Sequence, residues 1–472
     1  MTIRQHLCWL ASACLYVFSS SASAAVTLGA DTSWLTEMEA NGYLFYNSSG
    51  VRQDLLPILK QHGMTAVRLR VWVNPQDGYN GMTDVLAKAQ RVKAAGMKLM
   101  IDFHYSDSWA DPGQQTKPAA WANNNLQQLM DNVWSHTRNS LLQLRNAGIT
   151  PDWVQVGNET NDGMLWPEGR ASLNMRNYAW LTNTGYNAVK DVFPATPVVV
   201  HLANCHNVEN FRWIFNGLRT NGAKFDIIAA SAYPTNATGY TWQNANAACL
   251  FTLNEMVSTY GTPVMVTEVG APWDHPQAKQ IVADVIAKVA AVQSGQGLAV
   301  FYWEPQAYAN WRGYTLGAFS QSGGPGPAMQ AFLEANSSRI QSRHSAKCID
   351  VPARNTTSGT QLQQFSCGTG TNQQWRAEAL DNGFMRLKVA HSGMCLDLAS
   401  QSTANNIRLV QRTCNSTSSQ QWRREEMGSD YYRLRSRFSN RCIDVNAAST
   451  SDGAALVQFT CHSNHNQQWI NR

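Results

Sequence analysis

The sequence predicts an α/β fold, a (β/α)8 barrel, followed by a second domain built from three internal repeats. Three observations carry that reading. Between Val26 and Asn336, short β-rich runs alternate with longer helical stretches, the pattern of a parallel sheet closed by crossover helices. After the Gly/Pro-rich string SGGPGPA (322–328) and the segment NSSRIQSR, the composition changes abruptly. From there CID at Cys348, CLD at Cys395 and CID at Cys442 recur with a period of 47 residues, and QQW recurs at Trp375, Trp422 and Trp469 with the same period. At 472 residues the chain is too long for one ordinary domain, and a barrel with an appendage accounts for the length.

The elements follow in order. Arg4, an apolar run from Leu7 to Phe18 and an A-x-A pattern at Ala22, Ser23 and Ala24 predict a signal peptide over residues 1–24 and a secreted, extracellular protein. The apolar run is short for a membrane span, and no later stretch reaches 18 continuous apolar residues, so no membrane association is expected. Eight strands are read in the barrel, residues 25–336: LGAD ending at Asp31, then 67–72, 98–106, 152–159, 196–204, 225–234, 262–270 and 297–305. Several begin after a helix-ending glycine, as at Gly63, Gly96 and Gly148. A TIM barrel places its site at the carboxyl ends of these strands. Residues 337–344 read as a linker, and the repeats occupy 345–472.

Cys8 and Cys14 leave with the signal, and eight cysteines remain, an even number that fits four disulfides in an oxidising compartment. Each repeat holds a second cysteine 19 residues after the first, at Cys367, Cys414 and Cys461, which implies three bridges within repeats. Cys205 and Cys249 form the expected fourth. The net charge of +5 is unevenly placed: from Arg339 onward there are 16 Lys/Arg against 9 Asp/Glu, while residues 25–338 have 20 against 23. The basic residues are scattered among Gln, Asn and Ser and form no run, so they read as a solvated surface and not as a nucleic-acid site.

Glu159 and Glu268 stand at the ends of apolar strands, the fourth and seventh. Cleavage of a glycosidic bond needs such a pair, one carboxyl protonated to assist the leaving oxygen and one ionised to attack the anomeric carbon. A strand-end Glu also serves as an ion-pair partner, but two of them, with Asn158 beside the first, favour catalysis. Tyr105, Trp109, Trp121, Trp166, Tyr233, Trp303 and Trp311 are expected on the same rim, where aromatic rings stack on the apolar faces of sugars. Two or three of these should instead wedge loops together, with Trp303 and Tyr233 the best placed for substrate. No His/Cys/Asp cluster has metal-ligand spacing, and no cofactor is expected.

The strings GADTSWLTEMEANGYLFY, VRLRVWVNP, IDFHYSDSWADPGQQTKPAAW, VGNETNDGMLWPEG, VTEVGAPW and FYWEP resemble the successive motifs of glycoside hydrolase family 53, the endo-β-1,4-galactanases, from Leu28 to about Phe332. The resemblance implies a retaining double displacement with Glu159 as acid/base and Glu268 as nucleophile, the carboxyls roughly 5 to 5.5 Å apart. It also implies that Arg68, His104, Asn158, Tyr233 and Trp303 surround the cleaved sugar. Arg68 and Tyr233 should hold Glu268 ionised, and the charge of Glu268 should raise the pKa of Glu159. Some family members bind calcium in a rim loop, but no residue here indicates one.

The three repeats resemble the ricin-type β-trefoil lectin, carbohydrate-binding module family 13, which implies an all-β trefoil with the three QQW tryptophans in its core. A sugar site in that pattern combines the Asp after the first Cys, a Gln and an aromatic before the second, and the Asn-Gln leading into the Trp. The first repeat supplies Asp350, Gln363, Phe365, Asn372 and Gln373. The third has Asp444, Phe459, Asn466 and Gln467, with Val457 in place of the Gln. The second keeps Asp397 and Gln420 but has Val410, Arg412 and Ser419 elsewhere, a weak or dead pocket. The expected partner is plant cell-wall polysaccharide, β-1,4-galactan within pectin, bound by a monomer. Two other readings stand at this point: a barrel hydrolase acting on mannan, cellulose or xylan, and a lectin carrying an inactive barrel.

Overall fold

The computed structural model describes residues 26–380 and 383–472. The expected signal segment, with Cys8 and Cys14, lies outside the described residues.

Eight parallel strands close into a barrel: β1 (Thr27–Asp31), β2 (Ala66–Val71), β3 (Lys98–Phe103), β4 (Trp153–Val156), β5 (Val198–Leu202), β6 (Ile227–Ala232), β7 (Val264–Val269) and β8 (Gly297–Trp303), with β8 pairing back onto β1. All eight strands coincide with expected runs; β1 and β2 match theirs to within a residue, and β3 to β8 are shorter, because the polar residues at the run's carboxyl end leave the ladder to form the rim. The outer ring holds α1 (Leu35–Ala40) and α2 (Leu55–Gln61) before β2, then α3 (Met82–Ala94), α4 (Leu126–Asn146), α5 (Ala171–Val192), α6 (Val208–Thr220), α7 (Trp242–Tyr260) and α8 (Ala278–Ala290), one per crossover. A further helix, α9 (Pro327–Ala335), follows β8. Helix starts follow their capping residues: Asn125 and Gln128 form a reciprocal capping box at α4, and Asp54 accepts from the Leu56 amide at α2.

The barrel interior is layered by the period of two along each strand. Its lower layer is apolar, built from Ala66, Met100, Trp153, Val199, Ile227, Ala229, Met265, Ala299 and Phe301. Two residues further along the strands the interior turns polar, with Asp31, Arg68, Asp102, Gln155, His201 and Ser231 all buried. Glu268 joins them through a register shift. Ala230 pairs with Val266 but Ser231 pairs with Glu268, so Thr267 is an extra residue that brings Glu268 into the inward phase.

The second domain is a 12-stranded antiparallel assembly from Ser338 to Asn471, with Trp375, Trp422 and Trp469 all buried in its centre. The segment expected as a linker carries the first of these strands, Ser338–Ser342, which pairs with Trp469–Asn471 and buries Ile340. Only Asn336 and Ser337 separate it from α9. Four disulfides form, Cys205–Cys249 in the barrel and Cys348–Cys367, Cys395–Cys414 and Cys442–Cys461 within the repeats. The two domains meet at the amino-terminal end of β2: Arg376 Nη1 donates to the Lys60 carbonyl at 2.6 Å, and a cleft there is lined by Lys60, Gly63, Thr65, Asn336, Arg376 and Arg386. No described helix is long and apolar enough to cross a membrane.

Candidate active site and sugar-binding sites

β4 ends at Val156, and Gly157 takes a φ of +80°, where a side chain would also meet Thr160 Cγ2 at 2.7 Å. This turn carries Asn158 and Glu159 into the barrel mouth, with Glu159 itself at a φ of +44°, a strained conformation for a residue with a side chain. One oxygen of Glu159 and one of Glu268 lie within 4.8 Å of each other. Glu268, 5 % exposed, takes an ion pair from Arg68 Nη1 at 3.0 Å and a hydrogen bond from the Tyr233 hydroxyl at 2.9 Å. Glu159 receives only the Ser231 hydroxyl, at 2.6 Å on Oε1.

Arg68 is the hub of the floor. Its guanidinium contacts Asp31 (2.8 Å), Asp102 (2.8 Å), Glu268 (3.0 Å), Gln155 Oε1 (3.1 and 3.2 Å) and Asn158 Oδ1 (2.8 Å). Burial alone would lower its pKa, but the carboxylates of Asp102, Glu268 and Asp31 more than offset that and hold it charged. The Trp72 indole and the Ala110 amide both donate to His104 Nδ1, which places the ring hydrogen on Nε2, directed at Asp102 at 3.0 Å.

Burial pushes both carboxyls up, Glu159 to about 7 and Glu268 to about 8. For Glu159 desolvation is the largest cause, and the like charges that add to it are Asp111 and Asp102, not the expected Glu268. Ser231 and Arg68 pull it back. For Glu268 desolvation is opposed chiefly by Arg68. The pair titrates as a unit, and contacts decide where its first negative charge sits. A guanidinium and a phenol on Glu268, against one hydroxyl on Glu159, assign that charge to Glu268 and leave the proton with Glu159.

Above the pair lies a cleft of about 440 Å³, lined by His104, Trp109, Asn158, Tyr233 and Trp303 as expected, and also by Trp34, Asp111, Arg312 and Tyr314. Arg68 is 1 % exposed and lies beneath this cleft, so it orders the carboxylates and does not line the space above them. Trp303 packs edge-on against Trp34 (5.0 Å between centroids) and Tyr314 (4.7 Å), with Trp109 tilted at 5.8 Å, forming an aromatic wall. Three expected rim residues belong to packing instead. Tyr105 is buried and turned outward, its hydroxyl on Thr137 of α4; Trp121 packs on His136; and Trp311 packs on Tyr43. Trp166 stands outside the cleft, its indole on the Asp162 carbonyl and its ring under Arg170.

The residues absent from the expected set are Asp31, Asp102, Gln155, His201 and Ser231 inside the barrel, and Trp34 and Tyr314 on the wall. Their signal was polar side chains at alternate positions of apolar strands, as in VVVHLAN and IIAASAYP. Among the described residues, Glu159, His201 and Glu268 are close enough to surround a small cation. Each of the three already has an atom engaged within the protein, Glu159 Oε1 and His201 Nε2 by Ser231 and Glu268 Oε1 by Arg68, so the trio is part of a hydrogen-bonded cluster.

In the second domain the first repeat assembles its expected set. Asp350 accepts from Gln363 (2.7 Å), Asn372 (2.6 Å) and Gln373 (3.0 Å), beside a Phe365 ring that is 41 % exposed. In the third, Asp444 accepts from Asn466 (2.9 Å) and Gln467 (2.8 Å), with Phe459 half-buried and His462 3.4 Å from Asp444. In the second, Gln420 holds Asp397 at 3.0 Å, while Arg412 reaches it at 3.6 Å and stands where the other repeats have an aromatic ring. Trp375 and Trp422 donate to the Ile349 and Leu396 carbonyls inside the core.

Comparison with known proteins accords with both halves of the chain. The model of Glycosyl hydrolase family 53 matches residues 27–344, and that of the Ricin-type beta-trefoil lectin domain-like family matches 331–412, 372–459 and 418–472, overlapping spans that together cover the three repeats. The second domain is therefore a ricin-type β-trefoil. An arabinogalactan endo-beta-1,4-galactanase of Humicola insolens is 36 % identical over 299 residues, covering 59 % of this chain and 88 % of that protein. Among solved structures, a fungal beta-1,4-galactanase superposes with a TM-score of 0.61 at 32 % identity, covering 66 % of this chain and 99 % of the other. The GH53 catalytic domain of Ignisphaera aggregans gives 0.58 at 30 %, covering 64 % and 94 %.

Proposed function

The chain belongs to glycosyl hydrolase family 53, and from that premise we propose that it is a secreted, retaining endo-β-1,4-galactanase that cleaves the galactan side chains of pectin and is held on its substrate by the trefoil. The observation that carries the reading is the approach of Glu159 and Glu268 to within 4.8 Å, each in a distinct environment. Inverting enzymes separate their carboxyls by roughly 6.5 to 9.5 Å to admit a water, whereas retaining enzymes hold them at about 5 to 5.5 Å. In the first step Glu268 attacks the anomeric carbon as Glu159 gives its proton to the departing O4. In the second, Glu159 takes a proton from water, which displaces Glu268 and frees the product. Tyr233 and Arg68 keep Glu268 anionic and aimed, and Trp303, Trp109 and Trp34 offer an apolar wall to the sugar faces. Similarity to galactanases supports galactan over mannan, cellulose or xylan, and the four disulfides support export. The intact glutamate pair disfavours a lectin with an inactive barrel.

Release of reducing ends from a panel of purified polysaccharides tests this. Linear β-1,4-galactan should be the preferred substrate, and Glu268→Ala should lose that activity while keeping its far-UV circular dichroism. Turnover of mannan, cellulose or xylan in preference to galactan would refute the substrate, and an active Glu268→Ala would refute the mechanism.

A further inference from the structure

His201 is a buried histidine on β5 with no place in the double displacement, yet it closes a chain of hydrogen bonds that ends on Glu159. The chain starts at Arg68. Because the guanidinium donates to Gln155 Oε1, the Gln155 amide is fixed with its nitrogen pointing away, at 3.1 Å from His201 Nδ1. The backbone amide of Glu159 faces the same ring nitrogen at 3.4 Å. The two hydrogens of Gln155 are shared among Nδ1, Asn158 Oδ1 and the Gly157 carbonyl at 3.0 Å, whereas the Glu159 amide has only Nδ1 to donate to among the described residues, so Nδ1 accepts and the ring hydrogen lies on Nε2. The other tautomer would aim a hydrogen at Asn158 Oδ1, 3.0 Å away, but that oxygen already accepts from Arg68 and Gln155, and the Glu159 N–H would then confront an N–H. With its hydrogen on Nε2, His201 donates to Ser231 Oγ at 2.9 Å, and this directs the Ser231 hydroxyl to Glu159 Oε1 at 2.6 Å.

We infer that His201 and Ser231 are positioning residues for the acid/base: they commit Oε1 of Glu159 to accepting a hydrogen bond and so confine its transferable proton to Oε2. This rests on the proposed role of Glu159. The relay works with a neutral ring, and the surroundings keep it so, since burial first and then the charge of Arg68 push His201 well below the ordinary histidine range. An imidazolium here would add a second buried cation beside Arg68. No proton moves along the chain; it acts by orientation.

The other groups facing Glu159 and His201 are Arg68 from β2, Asp102 and His104 from β3 and the loop after it, Asp111 beyond that loop, Tyr233 after β6 and Glu268 from β7. All are unchanged by substitution at Ser231, so a shift in that variant reads the relay alone. The test uses the whole protein. The carboxyl ¹³C signal of Glu159, identified by its loss in Glu159→Gln, is titrated in the unliganded enzyme alongside the pH profile of kcat/KM on galactan. The hydroxyl stabilises the carboxylate, so Ser231→Ala should raise the midpoint by about one pH unit and carry the alkaline limb with it. His201→Gln, whose amide can present an N–H where Nε2–H stands, should keep the wild-type midpoint. His201→Leu in the Ser231→Ala background should add no further shift. Imidazole ¹⁵N shifts should show His201 neutral with its hydrogen on Nε2 through the active range. An unmoved midpoint in Ser231→Ala, an additive effect of His201→Leu, or a hydrogen on Nδ1 would each overturn the proposal. The ¹³C and ¹⁵N readings stand whether or not galactan proves to be the substrate.

Discussion

Glu159 combines three costs that make sense together: a left-handed backbone, a raised pKa and a single hydroxyl partner where Glu268 has a guanidinium and a phenol. The asymmetry suits the proposed roles of acid and nucleophile, and it has a thermodynamic consequence. Folding lifts the Glu159 carboxyl from its ordinary 4.5 to about 7, so the folded state keeps a proton that the unfolded chain has lost. Stability from this source is complete below pH 4.5 and is lost as pH rises through 7. Glu159→Gln carries no such dependence. Calorimetry should therefore find the variant level with wild type at pH 4 and melting several degrees higher at pH 8, the stability regained when the cost of ionising a buried carboxyl is removed. Arg68 behaves in the opposite sense. Arg68→Lys cannot span Asp31, Asp102, Glu268 and Gln155 at once, and the uncompensated buried carboxylates should cost about 3 kcal/mol in denaturant unfolding. Misorientation of Glu268 should lower kcat/KM by about a hundredfold or more. The two glutamates were legible in the sequence because each ends an apolar run. Arg68 and Tyr233 beside Glu268 were legible too, through the motifs that carry them; His201 and Ser231 on the side of Glu159 were not, because they sit inside strands and meet only when β5 and β6 become neighbours.

At the scale of elements the period of two explains both the success and the main gap of sequence reasoning. Eight β-rich runs announced eight strands, and counting them put the glutamates on β4 and β7. Strict alternation from Met265, however, would send the Glu268 side chain outward. The extra residue at Thr267, seen only in the pairing of Ser231 with Glu268, brings it into the barrel, and nothing in VMVTEVG announces a bulge. The aromatic rim shows the same limit. Tyr105, Trp121 and Trp311 lie near the strand ends in sequence, but the chain reverses there, with Tyr105 at a φ of +52°, and their rings fall behind the rim. The Cys205–Cys249 bridge is an element-scale device, tying the end of β5 to α7 across 44 residues. Closing a loop of that size is worth about 4 kcal/mol by chain entropy. Replacing both cysteines by serine should lower the denaturant midpoint accordingly while leaving kcat/KM on galactan within about twofold of wild type, because neither sulfur lines the cleft.

The whole molecule separates chemistry from adhesion by placing them at opposite ends of the barrel. The catalytic cleft opens at the carboxyl ends of the strands, whereas the trefoil abuts Lys60 to Thr65, the turn that feeds the amino end of β2. The trefoil therefore does not extend the cleft, and on the proposed function its sugar sites act by holding the enzyme against a polymer. Of its three repeats one presents an exposed ring over a fully held aspartate, one a half-buried ring, and one an arginine in place of the ring. This ranking was readable from the repeat alignment, since the pattern of residues is local, but the position of the domain on the barrel was not, because it depends on Arg376 finding the Lys60 carbonyl across more than 300 residues. Tethering raises the local concentration of enzyme on an insoluble substrate without touching the transition state. Phe365→Ala should thus leave kcat/KM on soluble galactan unchanged, yet lower retention on insoluble cell-wall polysaccharide, and initial rates there at low enzyme concentration, by about tenfold. Phe459→Ala should give a smaller loss, and the double variant should behave as barrel alone. A fall on soluble galactan in either single variant would mean that the two ends of the molecule share a substrate chain, contrary to the arrangement seen.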